Sequence, residues 1–370
     1  MNAVFIAAQT KNQQTYDGED FSHVPLLLFK INRFATKNLF GFIHFKQPLT
    51  LLDQRFIDDA LKLFRKQSAE NDLYRNFISG LHVDPAAISR LSDIPFLPIS
   101  FFKTHLVKTG IFEPVKCFES SGTTGMINSK HCIKILDAYL ENTVGIFKES
   151  YGNLDQYCII GLLPSYLERQ NSSLVSMVDH FIGLSKHPSS GFFLHDFKKL
   201  YELLLQLESR QQKTILIGVT YALIDFVESF PMKLKYTIVM ETGGMKGRKK
   251  ELTRKELHSI LKQGFGVDAI HAEYGMTELL SQAYSKGDGI YIASSRMKVF
   301  LRSTDDPFEI WLEGEHIMRM GVINIIDLAN SDSVGFIATD DLARFIGDGK
   351  FELMGRIDNS DVRGCSLLTA

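Results

Sequence analysis

The sequence lacks the features that would place the chain in a membrane, in a secretory pathway or on nucleic acid. It contains no run of about 18 apolar residues, so no membrane-spanning helix is expected. The segment after Met1 lacks the basic stretch of a signal peptide. With 41 Lys and Arg against 43 Asp and Glu, the net charge of −2 offers no basic surface for nucleic acid. These absences predict a cytoplasmic protein.

Cysteine is scarce and has no metal-binding or redox spacing. The four cysteines are Cys117, Cys132, Cys158 and Cys365, with no Cys-x-x-Cys or Cys/His pattern among them. This scatter argues against a zinc site and predicts reduced thiols rather than a disulfide framework. Because the first three lie in or beside apolar segments, they are expected in the core.

Apolar runs alternate with helical patterns through the middle of the chain. Helix spacing of apolar residues marks residues 50–80, two prolines require an extended segment at 94–99, and Thr253 with Glu256 forms a capping-box pattern. Strongly apolar strands are predicted at 158–163, 214–219 and 236–240. Alternation of buried strands with helices predicts an α/β fold with mostly parallel sheet.

Closely spaced strands replace this alternation from about residue 289. The predicted organisation is a mostly helical segment at 1–85, an α/β core at 86–288 and a β-rich subdomain at 289–370. The last region ends in a hinge-like motif and a tail that carries Cys365.

One short loop combines four hydroxyls with two glycines: Ser120, Ser121, Gly122, Thr123, Thr124 and Gly125. Its backbone N–H and side-chain O–H groups can converge on a phosphate, and the glycines allow the loop to follow a triphosphate. The alternative is an ordinary surface turn, which uses the same residue types. A P-loop kinase is excluded, since no Gly-Lys-Ser/Thr follows.

A second motif, Glu273-Tyr274-Gly275-Met276-Thr277-Glu278, follows a short apolar stretch. The ring of Tyr274 can stack on a base, the hydroxyl of Thr277 can reach a phosphate, and the carboxylate of Glu278 can hold Mg²⁺. These three groups predict a nucleotide site.

Three weaker motifs accompany it. Gly243 and Gly244 end a strand where a flat base could lie on bare backbone, although a plain strand-to-helix turn is the favoured interpretation. Asp341 offers a carboxylate to both hydroxyls of a ribose, or caps a turn. Arg356, in Gly355-Arg356-Ile357-Asp358, supplies a cation for phosphate or carboxylate.

In their order and spacing these motifs resemble the adenylate-forming superfamily of acyl-CoA synthetases, phenylacetate-CoA ligases and adenylation domains, from about residue 90 onward. The resemblance implies that the fold is the N-terminal domain of those enzymes and that ATP and Mg²⁺ are the cofactors. It makes Ser120 to Gly125 the pyrophosphate loop and assigns Tyr274, Thr277 and Glu278 to adenine, α-phosphate and Mg²⁺. Asp341 becomes the ribose ligand and Arg356 the hinge arginine. Lys130 is displaced from the family's Pro-Lys and receives no role.

The end of the sequence narrows the resemblance. Superfamily members continue past the hinge into a small domain, whereas this sequence stops six residues after Gly364. A shortened chain ending in Gly364-Cys365-Ser366-Leu367 resembles the acyl-protein synthetases, the LuxE-type subunits of bacterial fatty-acid reductases. The resemblance to that family implies activation of a carboxylic acid, expected to be a fatty acid, as acyl-AMP, followed by transfer to Cys365 as a thioester.

Three functions compete on the sequence. The first is self-acylation at Cys365 and hand-over to a partner, which could be an acyl-reductase, an acyltransferase or a carrier protein. The second is a ligase that transfers the acyl group to CoA or a carrier protein, and the third is a noncatalytic nucleotide-binding subunit. The missing domain favours the first over the second. The acid is expected to lie against residues 161–185, which include Leu163, Tyr166, Leu174, Met177, Val178 and Phe181.

Overall fold

Two helices open the part of the chain that the computed structural model describes, which comprises residues 51–120, 127–164, 171–243, 252–312, 314 and 316–357. Helix α1 spans Leu51–Glu70 and buries Phe56, Ala60 and Phe64 along one face. Helix α2, Asp72–Gly80, begins after Asn71, whose side chain accepts a hydrogen bond from the Tyr74 amide at 2.9 Å. The helices predicted between 50 and 80 are confirmed.

A sheet of 13 strands forms the centre of the described part. Its strands are β1 (Leu97–Pro98), β4 (Cys158–Leu162), β5 (Gly191–Phe193), β6 (Thr214–Val219), β7 (Thr237–Thr242), β8 (His271–Tyr274), β9 (Ala283–Ser285), β10 (Ile290–Ala293), β11 (Met297–Arg302), β12 (Ile310–Trp311), β13 (Met320–Asp327), β14 (Phe336–Gly347) and β15 (Lys350–Arg356). Their order is β12-β11-β13-β14-β15-β10-β9-β8-β7-β6-β4-β5, and β1 pairs with β14 outside this path.

Strands β5, β4, β6, β7 and β8 run parallel to one another, which confirms the α/β prediction. The helices around and between them are α3 (Phe101–Thr104), α4 (Leu136–Tyr151), α5 (Ser173–Ser185), α6 (Phe197–Ser209), α7 (Thr220–Ser229) and α8 (Arg254–Phe265). The capping box predicted at Thr253 is present, since its side chain and that of Glu256 bond to each other's backbone. Within the described ranges, no helix has the length and apolar character needed to cross a membrane.

The other half of the sheet is antiparallel from β8 through β15 and on to β11 and β12. The sheet therefore runs without interruption through the position, near residue 289, where the sequence pattern changes. The extended segment with two prolines contributes β1, which pairs in parallel with Ile337 and Ala338.

The parallel and antiparallel halves of the sheet belong to separate apolar clusters. One cluster joins the parallel strands to α4, α5, α6, α7 and α8, and includes Phe147, Phe181 and Tyr284. The second joins the antiparallel strands to α1 and α2, and includes Phe64 and Tyr274. Neighbouring residues of β9 contribute to different clusters, Ala283 to the second and Tyr284 to the first, because successive side chains of a strand point to opposite faces.

A short hairpin carries a disulfide that the sequence pattern did not predict. Strands β2 (Lys116–Glu119) and β3 (Lys130–Ile133) pair antiparallel and place Cys117 opposite Cys132, with their Cα atoms 4.0 Å apart and their sulfurs bonded. The prediction that these two thiols are reduced is wrong for this structure. The pairing depends on strand register, which cysteine spacing does not reveal. Cys158 is a free, buried thiol, as predicted.

Candidate active site

The predicted motifs that follow β7 and β8 lie at one edge of the parallel strands. Gly243 directly follows β7, and Gly275 directly follows β8, so both lie at the carboxyl ends of neighbouring strands. Gly243 has a φ of 72°, which favours glycine, and its carbonyl accepts the Thr220 hydroxyl at 2.5 Å. Ligands of open α/β sheets bind at this edge.

Three predicted residues form one hydrogen-bonded group. The Tyr274 hydroxyl donates to Asp341 Oδ2 at 2.8 Å, and Arg356 Nε donates to Asp341 Oδ1 at 2.6 Å. The strand register explains the contact, since Asp341 of β14 lies opposite Arg356 of β15. Burial and the nearby Asp341 raise the pKa of Tyr274 well above its ordinary value, so it stays a donor. Asp341 raises the pKa of Arg356, which keeps the guanidinium charged.

The ring of Tyr274 is enclosed by the protein. It makes edge contacts with Tyr291 and Phe351, with ring centroids 6.1 Å away in each case, and the residue is 8% exposed. Its hydroxyl therefore has a clear structural contact with Asp341, whereas stacking of the ring on adenine stays a prediction.

Arg302 supports the hydrogen-bonded group of Tyr274, Asp341 and Arg356. It was not identified from the sequence. Its guanidinium donates to the Thr339 carbonyl at 2.6 Å and to Asn324 Oδ1 at 2.6 Å. Burial lowers the pKa of Arg302 to about 10, and the neighbouring Asp340 and Asp341 oppose that shift. Arg302 remains charged at pH 7 and fixes the backbone that presents Asp341. Its position in the apolar strand β11 was the only available signal.

Thr277 is hydrogen-bonded to the hairpin that carries the predicted phosphate loop, and Glu278 is hydrogen-bonded to the segment that follows β13. The Nδ1–H of His131, in β3, donates to the Thr277 carbonyl at 2.8 Å. Burial lowers the pKa of His131 to about 4, against the two hydrogen bonds that favour its charged form, so the ring is neutral at pH 7. Asn330 Nδ2 donates to the Glu278 carbonyl at 2.8 Å, and Glu278 is 3% exposed.

A buried carboxylate holds the chain directly after Glu278. Asp327 Oδ2 accepts the amides of Leu280 and Ser281 at 2.8 and 3.0 Å, and Oδ1 accepts the Ser281 hydroxyl at 2.7 Å. Burial raises the pKa of Asp327, and these hydrogen bonds oppose the shift. The signal for Asp327 in the sequence is an acid that ends the apolar run Ile323-Asn324-Ile325-Ile326.

Ser120 is hydrogen-bonded to Ser129 at the end of the hairpin from which the predicted phosphate loop extends. Its amide donates to the Ser129 carbonyl at 3.0 Å, and its hydroxyl oxygen accepts the Ser129 amide at 2.9 Å. Ser120 is therefore placed where the predicted phosphate loop begins. Ser121, Gly122, Thr123, Thr124, Gly125, Gly244 and Cys365 lie outside the described residues.

The residues expected to line the acid pocket pack in the core. Met177, Val178 and Phe181 of α5 are at most 2% exposed, as is Leu163 after β4. Leu174 is partly buried beside them, and Tyr166 lies outside the described residues. A separate cleft of about 480 Å³ lies between α4 and residues 328–333. It is not lined by Leu163, Met177, Val178 or Phe181.

The residues present fit ATP with Mg²⁺. Asp341 and Arg356 offer an acceptor and a cation side by side, and Glu278 offers a carboxylate near the Thr277 backbone. In the described part of the chain, no group of three or more His, Cys, Asp or Glu could hold a metal by itself. Mg²⁺ is commonly held by one or two carboxylates together with substrate phosphates, which matches a single Glu278.

The fold is similar to that of solved adenylate-forming ligases. Two structures of 2-hydroxyisobutyryl-CoA ligase with 2-HIB-AMP and CoA, one open and one in the thioesterification state, match with TM-scores of 0.56 and 0.57. They are 10% and 11% identical in sequence, cover 83% of this chain in each case, and are themselves covered over 70% and 68%. An ATP-bound RpMatB-BxBclM chimera matches over 76% of this chain at 16% identity and a TM-score of 0.48, and this chain spans 52% of it.

The protein thus has the fold of the adenylate-forming ligases. A model of the acyl-protein synthetase family, LuxE, matches residues 47–370, and no curated protein sequence matches. The chain belongs to the LuxE acyl-protein synthetase family, which consists of ATP-dependent ligases that form acyl-adenylates. The resemblance identified in the motifs is confirmed.

Proposed function

We propose that the protein activates a carboxylic acid with MgATP to acyl-AMP and then transfers the acyl group to its own Cys365. The observation that carries the first half is the hydrogen-bonded group of Tyr274, Asp341 and Arg356, in which Tyr274 lies at the carboxyl end of β8. Family membership supports the same chemistry.

In the adenylation step, an oxygen of the carboxylate attacks the α-phosphorus of ATP. The bond from that phosphorus to the bridging oxygen breaks, and pyrophosphate leaves. Asp341 accepts the ribose hydroxyls, and Arg356, held beside it, orients that carboxylate. Glu278 would hold Mg²⁺, which would supply charge neutralisation for the phosphates. Thr277 and the hydroxyls of residues 120–125 donate to phosphate oxygens.

The second step uses a thiolate. The sulfur of Cys365 attacks the carbonyl carbon of acyl-AMP, AMP leaves with the electron pair, and a thioester forms. A thiol with an ordinary pKa of about 8.5 is only slightly ionised at pH 7. Attachment to the same chain compensates for this, because it raises the effective concentration of the thiol near acyl-AMP. Fatty acids are the proposed acids because the family includes subunits of fatty-acid reductases.

ATP–pyrophosphate exchange tests the first half. The protein is incubated with ATP, Mg²⁺, labelled pyrophosphate and each member of a panel of carboxylic acids from acetate to myristate. Acid-dependent exchange is the expected result. Absence of exchange with every acid would contradict the proposal.

Mass spectrometry after incubation with ATP and the active acid tests the second half. One hydroxylamine-sensitive acyl group is expected on the peptide that contains Cys365. Cys365→Ser should lose the acyl group and keep exchange, because exchange requires no thiol, and Cys158→Ser is the matched control. Acyl-CoA formation by Cys365→Ser at the wild-type rate would mean that the acceptor is external and that the protein is a CoA or carrier ligase.

A further inference from the structure

Glu273 precedes Tyr274 and points to the opposite face of β8. The strand register places it beside Thr242 of β7 and Tyr284 of β9. Its Oε2 accepts the Thr242 hydroxyl at 2.5 Å. Its Oε1 lies over Gly275. A Cβ added to that glycine would be only 2.2 Å from this oxygen. Gly275 is exposed, so Oε1 lies beside an opening at the end of β8.

Oε1 has no hydrogen-bond donor among the residues that the structure describes. Gln282 packs on the same glycine, with its Cγ 3.4 Å from that Cβ position, and the buried Gln282 Oε1 also lacks a partner. Glu273 is only partly buried, so of these two acceptors the Gln282 oxygen is the one that is buried without a donor. A buried acceptor without a donor is costly, which points to a ligand or a proton at this position.

Among the residues that the structure describes, the charged and titratable groups around Glu273 provide no cation to it. Glu241 approaches from β7, Tyr139 from α4 and Tyr284 from β9. Arg254 and His258 of α8 face Glu241 instead, at 4.0 and 3.6 Å from its Oε1. No ion pair within the described ranges includes Glu273.

Burial without a cation raises the pKa of Glu273 to about 7, and Glu241 adds to this while the Thr242 hydrogen bond opposes it. A large share of the Glu273 side chains therefore carries a proton at neutral pH. A protonated carboxyl is a hydrogen-bond donor, whereas its ionised form would repel an anion. The substrate of the proposed function is an anion, and it must reach the segment from Gly275 to Glu278.

We propose that Glu273, in its protonated form, donates a hydrogen bond from Oε1 to the carboxylate of the acid substrate and positions it for attack on ATP. This inference rests on the proposed function. The proton stays on Glu273 throughout, because adenylation exchanges one bond to phosphorus for another and transfers no proton. Glu273 therefore acts on binding of the acid more than on the chemical step.

The test is the pH dependence of KM for the acid in ATP–pyrophosphate exchange, measured at saturating MgATP from pH 6 to 8.5. The acid itself, with an ordinary carboxyl pKa, is ionised throughout. KM of the wild-type protein should be flat below pH 7 and rise about tenfold per unit above it, because ionised Glu273 repels the substrate. The rise should reach about 30-fold at pH 8.5, given a pKa of about 7.

Two substitutions of Glu273 distinguish the effect of its ionisation from the effect of its hydrogen bond to the acid. Glu273→Gln keeps a donor of the same size and cannot ionise, so KM should stay low and flat across the range with kcat unchanged. Glu273→Leu removes the donor, and KM should rise about 10- to 100-fold at every pH, the effect of losing a hydrogen bond to a charged group.

Thr242→Val and Glu149→Gln complete the set. The Thr242 hydroxyl lowers the pKa of Glu273, so its loss should move the rise in KM to higher pH. Glu149 is an α4 carboxylate that bonds Ser295 at the surface, and Glu149→Gln should keep the wild-type profile. Exchange with a pH-independent KM in the wild-type protein, or a wild-type profile in Glu273→Gln, would overturn this inference alone. Absence of exchange with every acid would overturn the proposed function and this inference together.

Discussion

Asp341→Ala should weaken ATP binding and destabilise the fold at once, since one carboxylate serves both. Its two oxygens hold the Tyr274 hydroxyl at 2.8 Å and Arg356 at 2.6 Å, and the side chains of Arg356 and Asp341 are only 20% and 13% exposed. Breaking a buried ion pair costs about 3–5 kcal/mol. Because this pair is partly solvated, a loss of about 2–3 kcal/mol in the free energy of unfolding is expected.

The nucleotide effect should appear in binding. A ribose ligand acts in the ground and transition states alike, so its loss should raise KM for ATP about 10- to 100-fold and change kcat less. The assays are urea denaturation, calorimetric ATP binding and exchange kinetics. Asp348→Asn, at an exposed carboxylate in the turn between β14 and β15, is the matched control and should change each quantity little. A fall in kcat at unchanged KM would place Asp341 at the reacting phosphate, and unchanged stability would refute the role of its contacts with Tyr274 and Arg356.

Three further predictions follow from the same geometry. Glu278→Gln removes the charge that is proposed to hold Mg²⁺, so exchange should fall by at least about 100-fold while circular dichroism stays native; normal exchange would contradict the assignment. Burial lowers the pKa of His131 from 6.5 to about 4 in the folded protein. As pH falls, His131 is therefore protonated in the unfolded protein before it is protonated in the folded protein, and about 3 kcal/mol should be lost from the free energy of unfolding between pH 6.5 and 4. His131→Asn should flatten that loss, as urea denaturation at several pH values would show, and an unchanged slope would assign it to other groups. Replacing Cys117 and Cys132 together by Ser should lower stability by about 3 kcal/mol, the expected effect of opening a loop with a sequence separation of 15. Thiol titration of the unreduced, unfolded protein should leave these two cysteines unreactive and detect Cys158 and Cys365; reaction of all four would mean that the bond does not form.

The parts of the fold that the sequence could predict are those with a local signal. The capping box at Thr253 and the apolar runs that became β4, β6 and β7 each lie within a few residues, and their physical cause is equally local. The nucleotide motif after β8 was recognisable for the same reason, because its residues are consecutive.

The supports of the site could not be predicted, since they join residues far apart in the chain. His131 reaches Thr277 across 146 positions, and Asp327 reaches Ser281 across 46. Neither residue type is unusual in its own segment. The disulfide depends in turn on the register of β2 with β3 rather than on a spacing motif. Contacts of this kind follow from topology, which periodicity does not specify.

Strand β8 explains why the nucleotide and the acid meet where the proposed function requires. Tyr274 points into the cluster of the antiparallel half and reaches Asp341, whereas Glu273 points to the other face and reaches Thr242. Because adjacent side chains of a strand face opposite ways, one strand can serve the proposed nucleotide side and the proposed acid side at consecutive positions. Two ligands on opposite faces can approach each other only past the end of the strand. Gly275 lies at that end, without a side chain, and the chain continues directly to Thr277 and Glu278. Any residue with a Cβ at position 275 would displace the Glu273 carboxylate, so the proposed binding of the acid by Glu273 requires the glycine at this position.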